Sequence, residues 1–157
     1  MIEVKGLDRL WHQETAVQCA ASFDQLLARQ DVGFQNLPAR TQLWKVCQVR
    51  TSLIANRVDR VVVVGMGGAI LGAKVLWETL GQYVSVRPFY FLESTDPVAF
   101  EKLCGEIKDW SRTHFIIVSK TGGTLETIAL VENLSARMNE KSLKLAQFAT
   151  LIAGEEN

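Results

Sequence analysis

Nine consecutive residues bring hydroxyls, a cation and glycines together where an anion could be held. They are Ser119-Lys120-Thr121-Gly122-Gly123-Thr124-Leu125-Glu126-Thr127. The apolar, partly β-branched run Phe115–Val118 before them reads as a strand. A helical pattern follows, with Leu125, Ile128, Ala129 and Met138 near one face. In an open parallel sheet, ligands bind outside the carboxyl ends of the strands. A helix start at that point supplies free backbone N–H groups and the positive end of a dipole. Ser119, Thr121, Thr124 and Thr127 add hydroxyls, Lys120 an ammonium, and Gly122 and Gly123 allow a close backbone approach. The chemistry is that of a phosphate cradle that needs no metal. The plainer alternative is a strand-to-helix turn with ordinary capping hydroxyls.

A second loop, Gly65-Met66-Gly67-Gly68-Ala69-Ile70-Leu71-Gly72, follows the valine run Arg60–Val64. Neither familiar nucleotide motif fits it. A dinucleotide fingerprint starting at Gly65 and Gly67 needs glycine where Ile70 stands. A Walker loop needs lysine directly after its last glycine, and Ala73 comes between Gly72 and Lys74. What remains is a place where backbone approaches a ligand, or tight packing of a helix on a strand.

The elements that must position these loops can be read in order. Residues from about Leu7 to Gln30 form a helical stripe through Leu10, Trp11, Val17, Ala21 and Leu26, interrupted by Glu14. Asn36-Leu37-Pro38 starts a second helix with Leu43, Trp44, Cys47, Thr51 and Ile54 on one face. The unbroken valines of residues 60–64 suit a central parallel strand buried on both sides. A helix to about Leu80 follows, then a strand over Tyr83–Leu92 with Pro88 inside it, which argues for an edge. Asp96 caps a helix that opens on Pro97 and turns Phe100, Leu103, Cys104 and Ile107 inward. Trp110–Thr113 is a loop, and His114 begins the strand into the first loop as a residue without chemistry. The helix after that loop runs to about Asn139, and Leu145–Ile152 reads as a fourth strand.

The chain has 157 residues, 48% hydrophobic and 22% charged, with a formal net charge of +0. This is an ordinary globular composition of about one domain. Without a basic block, nucleic acid and anionic membrane surfaces are not expected partners. No apolar run approaches the roughly 20 residues of a membrane span, and residues 1–5 show no signal-peptide pattern. Cys19, Cys47 and Cys104 are odd in number and far apart, as free thiols in a reducing cytoplasm would be. Packing explains them better than catalysis.

Together the two loops resemble the sugar isomerase (SIS) domain, and within it the glucose-6-phosphate isomerase family. Val64–Gly72 is similar to that family's Gly-Ile-Gly-Gly-Ser-x-x-Leu-Gly loop. Val118–Thr127 is similar to its Ser-Lys-Ser/Thr-x-x-Thr-x-Glu-Thr loop, the more specific of the two. The resemblance covers about Leu37 to Ile152. It implies that Ser119, Lys120, Thr121, Thr124 and Thr127, with Gly122 and Gly123, hold a substrate phosphate, and that Gly67 and Gly68 pass close to the sugar. Ala69 stands where the family usually has serine, and Gly123 where threonine is common, so two hydroxyls are missing. It further implies no cofactor, a cytoplasmic location and a second SIS subdomain beyond this stretch. The family's catalytic glutamate, arginine, histidine and lysine match no residue here.

Three readings follow. The chain is part of an enzyme interconverting glucose 6-phosphate and fructose 6-phosphate through an enediol. Alternatively, it is a stand-alone sugar-phosphate-binding module without catalysis. The third is a nucleotide-binding domain that uses Glu93 on a ribose. The expected fold is α/β, a three-layer sandwich of flavodoxin-like order. Residues 1–57 form a helical segment packing on the sheet, and 58–157 a truncated SIS core. The alternation of elements and right-handed crossovers predict parallel strands in the order 2-1-3-4. An apolar edge at the fourth strand, with Trp11 and Trp44, predicts a homo-oligomer, a dimer in the simplest case.

Overall fold

A computed structural model describes residues 13–29, 34–84 and 87–154. The chain divides into two compact units, Met1–Val49 and Arg50–Asn157. In the first, helix α1 covers Gln13–Ala28, and a 3-10 turn over Phe34–Ala39 contains Pro38. Helix α2, Thr41–Ala55, begins there and crosses into the second unit. Its expected apolar face is not a buried one. Leu43 and Trp44 are exposed and only Ile54, near the end, is half-buried. Leu7, Leu10, Trp11 and the break at residues 31–33 lie outside the described residues.

The second unit is a parallel sheet with helices on both faces. Strands β1 (Arg60–Val64), β2 (Phe89–Leu92), β3 (Thr113–Ser119) and β4 (Ala149–Ala153) lie in the order β2-β1-β3-β4. That is the expected order, with β1 inside the sheet. Helices α3 (Gly68–Val84), α4 (Pro97–Glu106) and α5 (Leu125–Glu140) make the connections. The valine run explains the arrangement. Val62 and Val64 enter a large core with Phe100, Leu103, Phe115, Ile117, Leu130, Leu134 and Met138, beneath α4 and α5. Val61 and Val63 enter a smaller core with Ile70, beneath α3. A strand apolar on both faces belongs where both faces are covered.

Several boundaries differ from the sequence reading. Strand β2 starts at Phe89 and α3 continues to Val84, so Pro88 precedes the strand. Lacking an N–H, Pro88 contributes its carbonyl, which accepts from the Val61 N–H at 3.1 Å. The fourth strand starts at Ala149, because Leu145–Gln147 closes a 3-10 turn that drops Leu145 into the large core. Residues 110–112 also form a 3-10 turn, capped by Asp109, which buries Trp110. The cap at Asp96 is as expected, its Oδ1 accepting from the Val98 N–H at 3.0 Å.

Helix α5 is the clearest departure. Leu125 and Ile128 face solvent, and Thr127, Leu130, Leu134 and Met138 are the buried face. The helix is oriented by the sheet beneath it, and its first turn, at the end of the core, follows the phase set by the later leucines. Leu134→Ala should therefore lower stability by about 2–5 kcal/mol. Leu125→Ala should change it by less than about 0.5 kcal/mol. Urea denaturation checks this, and equal losses would mean the helix is turned otherwise.

His114 lies in β3, 8% exposed, with Nε2 2.9 Å from Thr150 Oγ1 of β4. Burial lowers its pKa below the usual histidine value. The unfolded chain then takes up the proton first as pH falls below about 6.5, and native stability declines from there. His114→Asn should flatten the stability–pH curve between about pH 6.5 and 5. Denaturant midpoints measured across that range test this, and parallel curves would contradict it.

Candidate functional site

Ser119, the last residue of β3, is buried and sits opposite Ala153 of β4. Its Oγ accepts a hydrogen bond from the Gly122 N–H at 3.1 Å. That bond closes a tight turn in which Gly122 has φ 69°, a left-handed conformation that glycine adopts without steric cost. Gly123 donates its N–H to Thr121 Oγ1 at 3.3 Å. Thr124 is the N-cap of α5, and its carbonyl accepts from the Ile128 N–H at 3.0 Å. Its side chain, however, makes no capping hydrogen bond to the helix. Instead Thr124 Oγ1 lies 3.5 Å from Ser119 Oγ.

The first N–H groups of a helix have no intrahelical acceptor. With the cap hydroxyl turned to Ser119, these donors and the dipole's positive end sit beside a knot of hydroxyls. Thr127, in the first turn, is buried. Glu126 beside it is exposed, where its charge suits the dipole but repels an incoming anion. Lys120 and Thr121 are exposed at the turn.

The glycine loop leaves β1 alongside. Gly65 presses on β3: a Cβ added to it would stand 3.0 Å from the Val118 carbonyl oxygen. Gly67 has φ 51°, and its carbonyl accepts from the N–H groups of Ile70 and Leu71 at 3.1 and 3.2 Å. Gly67 and Gly68 are exposed, with open space where a side chain would go. From β1 the chain crosses to β2 at one side, and from β3 to β4 at the other. The two loops therefore part where the connections diverge, the place where open α/β sheets form their crevice. The structure brings Ser119, Thr121, Gly122, Gly123 and Thr124 into one turn and sets the loop of Gly67 and Gly68 on the neighbouring strand.

Glu93, after β2, is not turned toward a ligand. It forms an ion pair with Lys74 of α3, and that hydrogen bond raises the lysine's pKa. A carboxylate so engaged is poorly placed to accept from a ribose. Cys104 is half-buried, and burial raises its pKa, the opposite of what a nucleophile needs.

Comparison with known proteins agrees with the two loops. Residues 44–154 match the family model described as phosphoglucose isomerase. The chain belongs to the phosphoglucose isomerase family. Glucose-6-phosphate isomerase of Borrelia garinii is 33% identical over 98 residues, 59% of this chain and 18% of the relative. The enzyme of Methanocaldococcus jannaschii is 35% identical over 99 residues, 57% of this chain and 22% of the relative. A solved glucose-6-phosphate isomerase from Chlamydia trachomatis superposes with TM-score 0.64 at 25% identity, covering 68% of this chain and 20% of its own. The chain thus spans about a fifth of the length of the family members it matches.

Gly122→Ala should lower stability by about 1–2 kcal/mol, because a Cβ is disfavoured at its positive φ. Gly68→Ala, at the first position of α3 with open space around it, should be neutral or slightly stabilising. Urea melts of both variants check this, and the reverse order would contradict a left-handed Gly122 in the turn.

Proposed function

We propose that this chain is the phosphate-holding part of a glucose-6-phosphate isomerase. In the full-length enzyme it would serve aldose–ketose interconversion of glucose 6-phosphate and fructose 6-phosphate, in glycolysis and gluconeogenesis. Ser119, Lys120, Thr121, Gly122, Gly123, Thr124 and Thr127 take the phosphate, and Gly67 and Gly68 border the sugar. The observation that carries this is Thr124. An N-cap hydroxyl that leaves its helix uncapped and turns to Ser119 keeps the helix-start donors available for an anion. A phosphate dianion there gains several charge-assisted hydrogen bonds, each stronger than a neutral one. The acid–base residues belong to the rest of the parent enzyme, since relatives are about five times as long as the matched stretch.

Two finer readings accompany this one. Cys19 and Cys47 are exposed free thiols, which suits a reducing cytoplasm. No helix among the described residues is long and apolar enough to cross a membrane. Among the described residues β4 lies at the edge of the sheet, with Leu151 65% and Ile152 52% exposed, apolar surface that favours pairing with a second chain as a dimer.

The expected behaviour of the 157-residue chain is binding without turnover. Glucose 6-phosphate should move the amide resonances of Ser119–Thr127 and of Gly67 and Gly68. Ser119→Ala combined with Thr124→Ala should abolish that response while the fold survives. A coupled assay should find no isomerisation, because positioned acid–base groups typically contribute about 10²–10⁴-fold and none is matched here. Turnover at the level of a full-length enzyme, or shifts confined to Gly65–Gly72 and Glu93, would overturn the proposal.

A further inference from the structure

We propose that Gly154 is a positioning residue for the anion turn, acting through the single peptide group between Lys120 and Thr121; the inference rests on the phosphate-binding reading above. Gly154 follows β4 and lies outside both loop motifs. In the β3–β4 ladder, Phe115 pairs with Ala149 and donates its N–H to the Phe148 carbonyl at 2.9 Å. Parallel strands repeat that pattern every second residue. Carried forward to Ser119 opposite Ala153, it would make the Ser119 carbonyl the acceptor for the Gly154 N–H. The Gly154 N–H reaches the Lys120 carbonyl, one residue further on, at 2.9 Å. The ladder keeps its register through Ser119 and Ala153, and Gly154, one residue further on, ties the first residue of the turn to the end of β4.

That bond fixes a donor on the opposite side. In a trans peptide the C=O and the following N–H point in opposite directions, and no cis peptide occurs among the described residues. With the Lys120 carbonyl drawn to β4, the Thr121 N–H is turned away from β4, toward the β1 side from which the glycine loop departs. Only glycine fits this arrangement. A Cβ added at Gly154 would stand 2.7 Å from the Lys120 carbonyl oxygen, a backbone atom that can yield only if the turn itself moves. Gly65 bounds the other flank, its would-be Cβ 3.0 Å from the Val118 oxygen. The end of β3 is therefore flanked by two side-chain-free positions, each just past the end of a neighbouring strand.

The test is phosphate titration of the unsubstituted chain, of Gly154→Ala, and of Gly105→Ala, followed by amide resonances. Gly105 has open space around it and serves as the control. Gly154→Ala should weaken phosphate binding about tenfold, the order expected for loss of one charge-assisted hydrogen bond. It should also shift the Thr121 amide before any ligand is added. Gly105→Ala should change neither. Unaltered affinity and an unmoved Thr121 amide in Gly154→Ala would overturn the proposal and leave the phosphate reading intact. No phosphate response in the unsubstituted chain would overturn both. A second measurement needs no variant: phosphate should slow hydrogen exchange at the Gly154 amide of the unsubstituted chain. Unchanged exchange there, while Ser119–Thr127 respond, would also overturn it.

Discussion

The parallel pairing of β1 with β3 is the constraint on which the site depends. Val61–Val64 are apolar on both faces, so β1 must lie inside a sheet covered on both sides. Right-handed crossovers then send β2 to one flank and β4 to the other. Once β1 and β3 are neighbours with connections that diverge, their loops necessarily open side by side at the carboxyl edge. The Asp59–Arg112 pair, two contacts of 2.6 Å at the opposite end of these strands, is consistent with this register, although exposed ion pairs contribute little to stability.

What this geometry would offer the proposed phosphate is mostly backbone. Ser119 and Thr121 are partly occupied with the turn's own N–H groups, so their oxygens shape the loop as well as face a ligand. The Thr124 hydroxyl makes no capping bond and lies 3.5 Å from Ser119 Oγ at the strand end. Donors fixed in this way need little reorganisation when charge arrives, the property that makes oriented amides effective in a water-poor site. Glu126 works against the anion, and its exposure lets solvent weaken that repulsion.

The fold was largely legible because its signals are local. Valines buried on both faces announced the inner strand, Asp96-Pro97 announced a helix start, and the strand–loop–helix pattern located the turn between β3 and α5. Site membership came from motif resemblance. Register and phase were harder to read. Leu125 and Ile128 looked like core residues, yet the sheet turned Thr127 inward, because the helix phase is decided by distant contacts at Leu130, Leu134 and Met138. Leu145 looked like strand and became a core plug. The role proposed for Gly154 had no signal beyond a glycine after a strand, since it depends on a contact with Lys120, far away in sequence.

The most direct test is a crystal structure of the chain with glucose 6-phosphate. The phosphate oxygens should lie within hydrogen-bonding reach of the Ser119 and Thr124 hydroxyls and the first amides of α5, with the sugar toward Gly67 and Gly68. A sugar phosphate bound away from this turn, with Thr124 turned back to cap its own helix, would contradict it.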